Sequence, residues 1–403
     1  MPAMTVEQLR EAIPMTREVG YFQTGTYGPA SDPVLQAVRE AMKAEAHHGP
    51  ATPAGRASHV EKEIAARAGL ARLLNVKDEE LAIVTNTSRA MQQVIRGIKW
   101  QAGDEFLMTN LEHVSTYGVS HELEQEYGVK VKVVPGDEGD DALLESLTAS
   151  ITDRTKLVCL SHMSSPDGRL LPIKDAAKIA HDWGVPVVLD VAQTVGQMPV
   201  DLADLGSDFV VGSGHKWLLG PMGTGFVVIA EGQIPNVRPN FIPDRSPWAL
   251  EGTPTPTPTA KSRAEIGTYN HALVVGLGKA VEIADSVGLD TIQDAARKLT
   301  VTLRKEAANM NIGLNWYLSD NTASMWGSAA ENPPDPEFIE MVNKKRTIVD
   351  PVEREAVVKD IAAYICDNAQ AIHAYTIPAL YALSPNVPEL SFNRSFQMSI
   401  PSE

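Results

Sequence analysis

The stretch Val187–Gly225, VVLDVAQTVGQMPVDLADLGSDFVVGSGHKWLLGPMGTG, decides the fold of this 403-residue chain. It contains two segments, VVLDVA and DFVVGS, that are apolar throughout rather than alternating. That pattern is typical of parallel strands covered by helices on both faces. Asp190 ends the first strand segment, and Lys216 follows the second after a turn of small residues. Both side chains are therefore expected at the carboxyl ends of strands, where α/β sheets bind their ligands.

Helix and strand patterns alternate outward from this stretch, from about residue 60 to residue 230. Apolar residues three and four apart predict helices, and short apolar runs between them predict strands. The alternation predicts an α/β domain of three layers around a mostly parallel sheet. The predicted helices are 59–74, 88–98, 116–127, 140–151 and 172–183, and the predicted strands include 80–86, 105–110, 129–137, 156–163 and 223–230.

Composition and charge exclude several classes of protein. The chain is 43% hydrophobic and 21% charged, with a net charge of −16, so nucleic acid and anionic membranes are poor partners. No apolar run approaches the length of a membrane helix, and the N-terminus does not resemble a signal peptide. Two cysteines are too few for a disulfide framework or a zinc site, so we expect no metal and a cytoplasmic protein.

The length of the chain predicts more than one domain. We expect an N-terminal helical arm at 1–20, a large domain at 21–270 and a smaller C-terminal domain at 271–403. The Thr-Pro run at 251–259 is incompatible with a helix or a central strand, and is either a surface loop or an ordered flap over a site. After it, the pattern over 265–310 is strongly helical.

Asp190 and Lys216 together suggest a specific chemistry. A lysine at a strand end near a buried acid suits a cationic ring between them, as in pyridoxal phosphate enzymes. There the lysine forms a Schiff base, and the carboxylate keeps the ring nitrogen protonated. The alternative is a buried Asp–Lys ion pair without a cofactor.

Seven segments, in chain order, carry a resemblance to a known family. They are YFQTGTYGPA (21–30), TNTSRAM (85–91), GDEFLMTNLEHVS (103–115), SHMSSPDGRLLPI (161–173), LDVAQTVGQMPVDL (189–202), GSGHKWLLGPMGTGF (212–226) and RAEIGT (263–268). On these segments the chain resembles the class V aminotransferase superfamily, which includes cysteine desulfurases and isopenicillin N epimerase-like proteins. The resemblance implies the type I fold of pyridoxal phosphate-dependent transferases, with its three layers and mostly parallel sheet.

The resemblance implies roles for four residues around the cofactor ring. Lys216 would hold pyridoxal 5′-phosphate as a Schiff base and later shuttle the α-proton of the substrate. Asp190 would pair with the ring nitrogen, and Gln193 would hydrogen-bond the phenolic oxygen. His113 would stack on the ring, although a loop histidine with ordinary partners is the alternative.

The resemblance also implies a phosphate site and a homodimer. Thr87 and Ser88 would bind the phosphate at a helix N-terminus, where N–H groups and the helix dipole favour an anion. Ser213 and His215 would add donors. Thr268 resembles a residue that reaches the phosphate of the partner subunit, which implies a homodimer with shared sites. Ser88 could instead be an ordinary N-cap.

The substrate side departs from the family pattern. Ser165 stands where desulfurase-like relatives often carry Asn, and Arg89 stands where many relatives carry Glu. The family's carboxylate-binding arginine is not found after residue 310, so Arg263 and Arg56 are the candidates, with Tyr27 as a further substrate-binding residue.

The C-terminal part differs most from the family. Residues 315–393 resemble the end of a family 5 solute-binding protein, and together with 271–314 they would form an atypical C-terminal domain. Cys159 lies in an apolar strand pattern and Cys366 in a helical one, so both are expected to be buried structural thiols. Desulfuration through a persulfide on the protein is therefore disfavoured.

The sequence predicts a pyridoxal phosphate enzyme that acts on an amino acid or amine by Cα deprotonation, as an aminotransferase or epimerase does. An alternative is a C–S lyase, or another β- or γ-eliminating lyase, without a catalytic cysteine. A third possibility is a non-catalytic binding protein of the same fold.

Overall fold

The computed structural model describes residues 4–17, 20–21, 23–165, 168–239, 258–265, 267 and 269–309, and scattered positions between 340 and 399. Its main feature is a seven-stranded sheet in the order β1-β7-β6-β5-β4-β2-β3. All neighbouring strands are parallel except β7, which runs antiparallel to β1 and β6. The strands are β1 (Leu81–Val84), β2 (Glu105–Thr109), β3 (Lys130–Val134), β4 (Thr155–Ser161), β5 (Val187–Asp190), β6 (Phe209–Ser213) and β7 (Gly225–Ile229).

Helices cover both faces of the sheet, as the apolar strands predict. The helices are α1 (Val6–Glu11), α2 (Asp32–His48), α3 (Pro53–Leu74), α4 (Thr87–Gly97), α5 (Val114–Tyr127), α6 (Asp140–Ser150), α7 (Ile173–Asp182), α8 (Leu202–Leu205), α9 (Ala260–Ala264), α10 (His271–Val287) and α11 (Leu289–Asn309). Within β5, Leu189 belongs to a core cluster shared with α3, α6, α7 and α10, while Val188 belongs to a second cluster shared with α4, α5 and α9. The three-layer fold with a mostly parallel sheet is thus confirmed.

Helix α3 begins six residues earlier than the sequence pattern predicts. Thr52 is its N-cap and accepts a hydrogen bond from the N–H of Gly55, while Pro53 occupies the first helical position. A capping threonine followed by proline starts a helix without any apolar periodicity. The pattern-based start at residue 59 is therefore wrong, because the first turn contributes little to the core.

The N-terminal arm and the helical segment after residue 270 pack together. Val6 and Leu9 of α1 contact a small apolar cluster formed by Val34 of α2 and by Ile283 and Val287 of α10. Helix α10 also packs along α3. The predicted boundary at residue 270 thus separates elements that contact one another, and the division into domains stays a prediction.

Several predictions fall on the remaining part of the chain. Residues 251–257 of the Thr-Pro run, Cys366, and nearly all of the segment 315–393 lie outside the described residues. Within the described part of the chain, no helix has the length and apolar character needed to cross a bilayer.

Candidate active site

Asp190 occupies the end of β5, and its carboxyl group is buried. Its Oδ1 accepts a hydrogen bond of 2.8 Å from the N–H of Ala192. Burial raises the pKa of Asp190, and the positive charge of Lys216 opposes that shift, followed by smaller opposing effects from the Ala192 hydrogen bond and from His113. The two predicted partners of the acid, Lys216 and His113, therefore lie within electrostatic reach of it.

Lys216 lies in the loop after β6. Its pKa is lowered chiefly by burial, while the charge of Asp190 acts in the opposite direction. No ion pair within 4.0 Å joins Lys216 and Asp190 in the described part of the chain, so the closed Asp–Lys pair considered above is not observed. An amine with a lowered pKa is the form that attacks carbonyl groups.

A close backbone approach holds the lysine loop against the N-terminal segment. The N–H of Gly28 donates a hydrogen bond of 2.7 Å to the carbonyl oxygen of His215. A Cβ at position 28 would lie 2.0 Å from the carbonyl oxygen of Lys216, so only glycine allows this contact. The YFQTGTYGPA segment thereby helps to position the reactive lysine.

Gln193, Ser165 and Trp217 meet beside the lysine loop. Gln193 Oε1 accepts a hydrogen bond of 2.7 Å from Trp217 Nε1, and its Nε2 donates to the carbonyl oxygen of Gly25 at 3.1 Å. Ser165 Oγ lies 3.4 Å from the same Nε2. The structure therefore brings Gln193 and Ser165 together at the carboxyl edge of the sheet. The role of Gln193 toward a phenolic oxygen stays a prediction.

His113 begins α5 as its N-cap. Its Nδ1 accepts a hydrogen bond of 3.1 Å from the N–H of Ser115. Solvent reaches the residue, yet enough protein surrounds the imidazole for desolvation to lower its pKa, with the charge of Asp190 opposing the shift. A neutral ring held at Nδ1 is suited to stacking on a flat cofactor. The predicted stacking itself remains untested.

The predicted phosphate-binding residues converge where β1 leads into α4. Thr87 Oγ1 and Ser213 Oγ are buried and 2.6 Å apart. The N-cap of α4 is Asn86, whose Oδ1 accepts from the N–H of Arg89 at 2.8 Å, so the alternative interpretation of Ser88 as the N-cap is wrong. Ser88 instead lies in the first helical turn, where N–H groups and the helix dipole favour an anion.

His215 and Tyr27 lie side by side at the start of the lysine loop. Their rings stack with centroids 5.9 Å apart. His215 Nδ1 lies 2.9 Å from the carbonyl oxygen of Thr224, which requires Nδ1 to carry the proton. Burial lowers the pKa of His215. The predicted contact of His215 with a phosphate stays open, whereas its proximity to Tyr27 is observed.

Two arginines predicted for the substrate carboxylate occupy different places. Arg263 Nε donates a hydrogen bond of 3.1 Å to the carbonyl oxygen of Ile234. Ile234 follows β7, whose last residue, Ile229, pairs with Phe209 at the start of β6. Within this chain Arg263 therefore lies toward the edge of the sheet opposite Asp190, and its role as a substrate-binding residue stays a prediction. Arg56 is exposed in the first turn of α3 and stays a candidate.

Two further predictions concern Thr268 and Cys159. Thr268 lies outside the described residues, so its contact with a partner subunit stays a prediction. Cys159 is fully buried in β4, and burial raises the pKa of its thiol well above the ordinary value, as expected of a structural cysteine.

Glu112 is a buried acid near the site that the sequence pattern does not single out. Glu112, directly before His113, is only 6% exposed, and its carboxyl group reaches Ser161 at the end of β4. Burial raises its pKa to about 7. The available signal was an acidic residue in the segment TNLEH between a strand and a helix, but its burial depends on β4, which lies 49 residues farther along the chain.

The assembled groups fit pyridoxal 5′-phosphate. The buried carboxyl group of Asp190 suits a protonated ring nitrogen, the amine of Lys216 suits the aldehyde, and the imidazole of His113 suits the face of the ring. Lys216, whose pKa is lowered, and His113 both lie within electrostatic reach of Asp190. The Thr87–Ser213 hydroxyl pair at the N-terminus of α4 suits the phosphate. These groups come from β5 and β6 and from the segments that follow β1, β2 and β6.

Comparison with known proteins supports the same cofactor. The sequence model of the family "Aminotransferase class-V" matches residues 26–326. A probable cysteine desulfurase of Methanothermobacter thermautotrophicus is 30% identical over 324 residues, covering 78% of each chain. A cysteine desulfurase of Escherichia coli strain SE11 is 28% identical over 319 residues, covering 73% of this chain and 75% of the relative.

Solved structures agree with these sequence relatives. The apo cysteine desulfurase of Thermococcus onnurineus NA1 superposes with a TM-score of 0.69 at 30% identity, over 77% of this chain and 78% of that one. The cystine C–S lyase C-DES, solved with its reaction product cysteine persulfide, superposes with a TM-score of 0.67 at 26% identity, over 75% and 80% of the two chains. Together with the site geometry, these matches show that the chain belongs to the class V aminotransferase family of pyridoxal phosphate-dependent enzymes.

Proposed function

We propose that this enzyme is a C–S lyase that cleaves the Cβ–S bond of a sulfur-containing amino acid without a cysteine nucleophile of its own. The observation that carries the proposal is the burial of Cys159, the single cysteine among the described residues, in a chain that also has the lysine and the acid of a class V site. The relatives named cysteine desulfurase and cystine C–S lyase support sulfur chemistry. They favour elimination over the transamination or epimerisation expected first from the sequence.

The reaction balances as an elimination followed by hydrolysis. A proton leaves Cα, the Cβ–S bond breaks, and the thiol departs with the bonding electron pair and a proton. Water then converts the remaining three-carbon fragment into pyruvate and ammonia. No external oxidant or reductant is needed. With cystine as substrate, the departing thiol is cysteine persulfide.

The residues of this chain supply proton transfer and charge balance. Bound pyridoxal phosphate supplies an electron-withdrawing ring that disperses the negative charge left at Cα. The lowered pKa of Lys216 suits it to take the proton from Cα at neutral pH. Asp190, buried at the end of β5 within electrostatic reach of Lys216, would pair with the protonated ring nitrogen.

The test of the proposal is a chain in which both cysteines are replaced, Cys159→Ala together with Cys366→Ser. We expect this variant to release pyruvate and ammonia from cystine at a rate within about threefold of wild type, because neither thiol takes part. Products are measured by enzymatic pyruvate assay and mass spectrometry. Cys159→Ala alone is the control for any packing effect in β4.

Loss of sulfur release in the double variant, with Cys159→Ala still active, would instead identify Cys366 as a persulfide-forming nucleophile and overturn the proposal. Formation of alanine by wild type from cysteine would also contradict it, since elimination yields pyruvate. Amino-group transfer to an oxo acid, or racemisation without sulfur release, would support the aminotransferase or epimerase alternatives.

Replacing Asp190 with asparagine should reduce turnover far more than cofactor affinity. The amide keeps the shape and can accept from Ala192, but it carries no charge to hold the ring nitrogen protonated. We expect turnover to fall about 100-fold or more, while the dissociation constant of pyridoxal phosphate changes by less than about tenfold, because the Thr87–Ser213 hydroxyls and the α4 N-terminus remain. Full activity in this variant would exclude the proposed role of Asp190.

Four broader features stay predictions within this proposal. They are a homodimer with shared sites through Thr268, a cytoplasmic location, an amino acid as the small-molecule partner, and a separate C-terminal domain at 271–403. The net charge of −16 supports the absence of nucleic-acid partners.

A further inference from the structure

The carboxyl group of Glu112 joins the ends of two strands beneath the site. Its Oε1 accepts hydrogen bonds from Thr109 Oγ1 at 2.7 Å, at the end of β2, and from the N–H of Ser161 at 3.0 Å, at the end of β4. Its Oε2 accepts from Ser161 Oγ at 2.8 Å. Cys159 Sγ lies 3.8 Å from the same oxygen. One carboxyl group thus satisfies three buried donors on two strands.

The sheet lacks a backbone acceptor at this point. Strands β2 and β4 stay in register only as far as the pair Met108 and Cys159, because the chain leaves β2 after Thr109. The N–H of Ser161 lies two residues farther along β4 and receives the side chain of Glu112 instead. A buried N–H without a partner is costly, so this carboxyl group completes the sheet edge.

The same group lies between the two halves of the cofactor site. Ser161 pairs in register with Asp190 of β5 on one side. On the other side, Glu112 is followed directly by His113, the N-cap of α5. The loop before it is short and anchored, since Asn110 Oδ1 accepts from the N–H of Gly136 at 2.7 Å. Any shift of Glu112 relative to β4 therefore moves His113 relative to Asp190.

We propose that Glu112 is a positioning residue of the cofactor site, whose carboxyl group clamps β2 to β4 and so sets the placement of His113 over Asp190. The inference rests on the cofactor and not on which bond of the substrate is broken. Its readouts therefore do not use turnover of a sulfur substrate.

The titration of Glu112 provides a second signature of the clamp. Burial raises its pKa from 4.5 to about 7, opposed by the hydrogen bonds from Thr109 and Ser161, with a smaller rise from the charge of Asp190. The other titratable groups that interact with it are Cys159 and Tyr117, both with raised pKa values. Because the folded state binds this proton more tightly, the stabilisation is complete below about pH 4.5 and is lost as pH rises through about 7.

The test compares Glu112→Ala, Glu112→Gln and the control Cys159→Ala, each loaded with pyridoxal phosphate. The achiral cofactor acquires visible circular dichroism only from its protein surroundings, so the signal reports the placement of the ring. We expect Glu112→Ala to lose most of this signal and to bind the cofactor about tenfold to a hundredfold more weakly. Glu112→Gln should retain both within about threefold, because its Oε1 can accept from Thr109 Oγ1 and the N–H of Ser161 while its Nε2 donates to Ser161 Oγ, whose hydroxyl group turns to accept. Cys159→Ala should match wild type.

A Glu112→Ala signal equal to that of Cys159→Ala would overturn the proposal. A Glu112→Gln variant as impaired as Glu112→Ala would overturn it as well, because the clamp needs only the shape and acceptor of the side chain. If Glu112→Ala does not fold, the proposal is tested by the pH dependence of the melting temperature of the apoprotein, compared between wild type and Glu112→Gln. Wild type should lose more stability between pH 5 and pH 8 than Glu112→Gln, and identical pH dependences would contradict the buried clamp.

Discussion

Replacing Lys216 with alanine should abolish covalent binding of pyridoxal phosphate and lower turnover by about 1000-fold or more. The residue lies in the loop after β6, within electrostatic reach of Asp190, and its pKa is lowered by burial, so its amine is available both to bind the aldehyde and to move a proton. The measurement is the visible absorbance of the purified protein with added cofactor. Borohydride reduction followed by peptide mass spectrometry then locates the modified lysine.

The matched control is Lys174→Ala, since Lys174 is an exposed lysine on α7 that pairs with Asp204. This variant should keep the wild-type absorbance and the same modified peptide. A Lys216→Ala protein that still carries the cofactor on a lysine would assign the reaction to another residue. A wild-type protein that stays colourless with added cofactor would exclude a pyridoxal phosphate enzyme and favour a non-catalytic binding protein of the same fold.

The largest effect on stability is expected from Arg67. This guanidinium is buried in α3, where it donates to Glu265, the C-cap of α9, at 2.6 Å and to the carbonyl oxygen of Leu81 in β1 at 2.8 Å. It also pairs with Glu63. Glu265 in turn accepts from the N–H of Ile83 at 2.9 Å. Arg67→Met removes the buried one of the two cations that contact these acids and should cost about 3–5 kcal/mol of unfolding free energy.

Arg72→Met is the control on the same helix, because Arg72 forms an exposed ion pair with Asp285. Exposed pairs contribute little, so this variant should lose less than about 1 kcal/mol. Urea unfolding followed by circular dichroism measures both variants. Equal losses in the two variants would show that the buried network does not stabilise the junction of α3, α9 and β1.

The burial of Glu63 and Glu265 illustrates a limit of sequence reasoning. Lys261 contacts both acids. Burial alone would raise the pKa of Glu63, but the hydrogen bonds with Lys261 and Tyr269 and the charges of Lys261 and Arg67 lower it to about 2. Along the chain these residues look like ordinary helix-surface charges. The pairs Arg67–Glu265 and Lys261–Glu63 each join residues 198 positions apart in the chain, so the local periodicity of the sequence does not predict them.

The sequence by itself determined the layered fold and the heart of the site. The strand and helix patterns can be read from the sequence because each pattern depends only on a few neighbouring residues. The strands β5 and β6 lie where the segments VVLDVA and DFVVGS predict them. The end of a strand is also a local feature, so the sequence places Asp190 and Lys216 at the same edge of the sheet.

Only the tertiary structure decided which distant groups meet. Arg263 contacts the carbonyl oxygen of Ile234, which the antiparallel strand β7 brings to the edge of the sheet opposite Asp190. Glu112 becomes a buried clamp because β4 continues past the end of β2 and needs an acceptor there. Hydrogen bonds and burial depend on the partner that the fold supplies, whereas periodicity depends only on the chain itself.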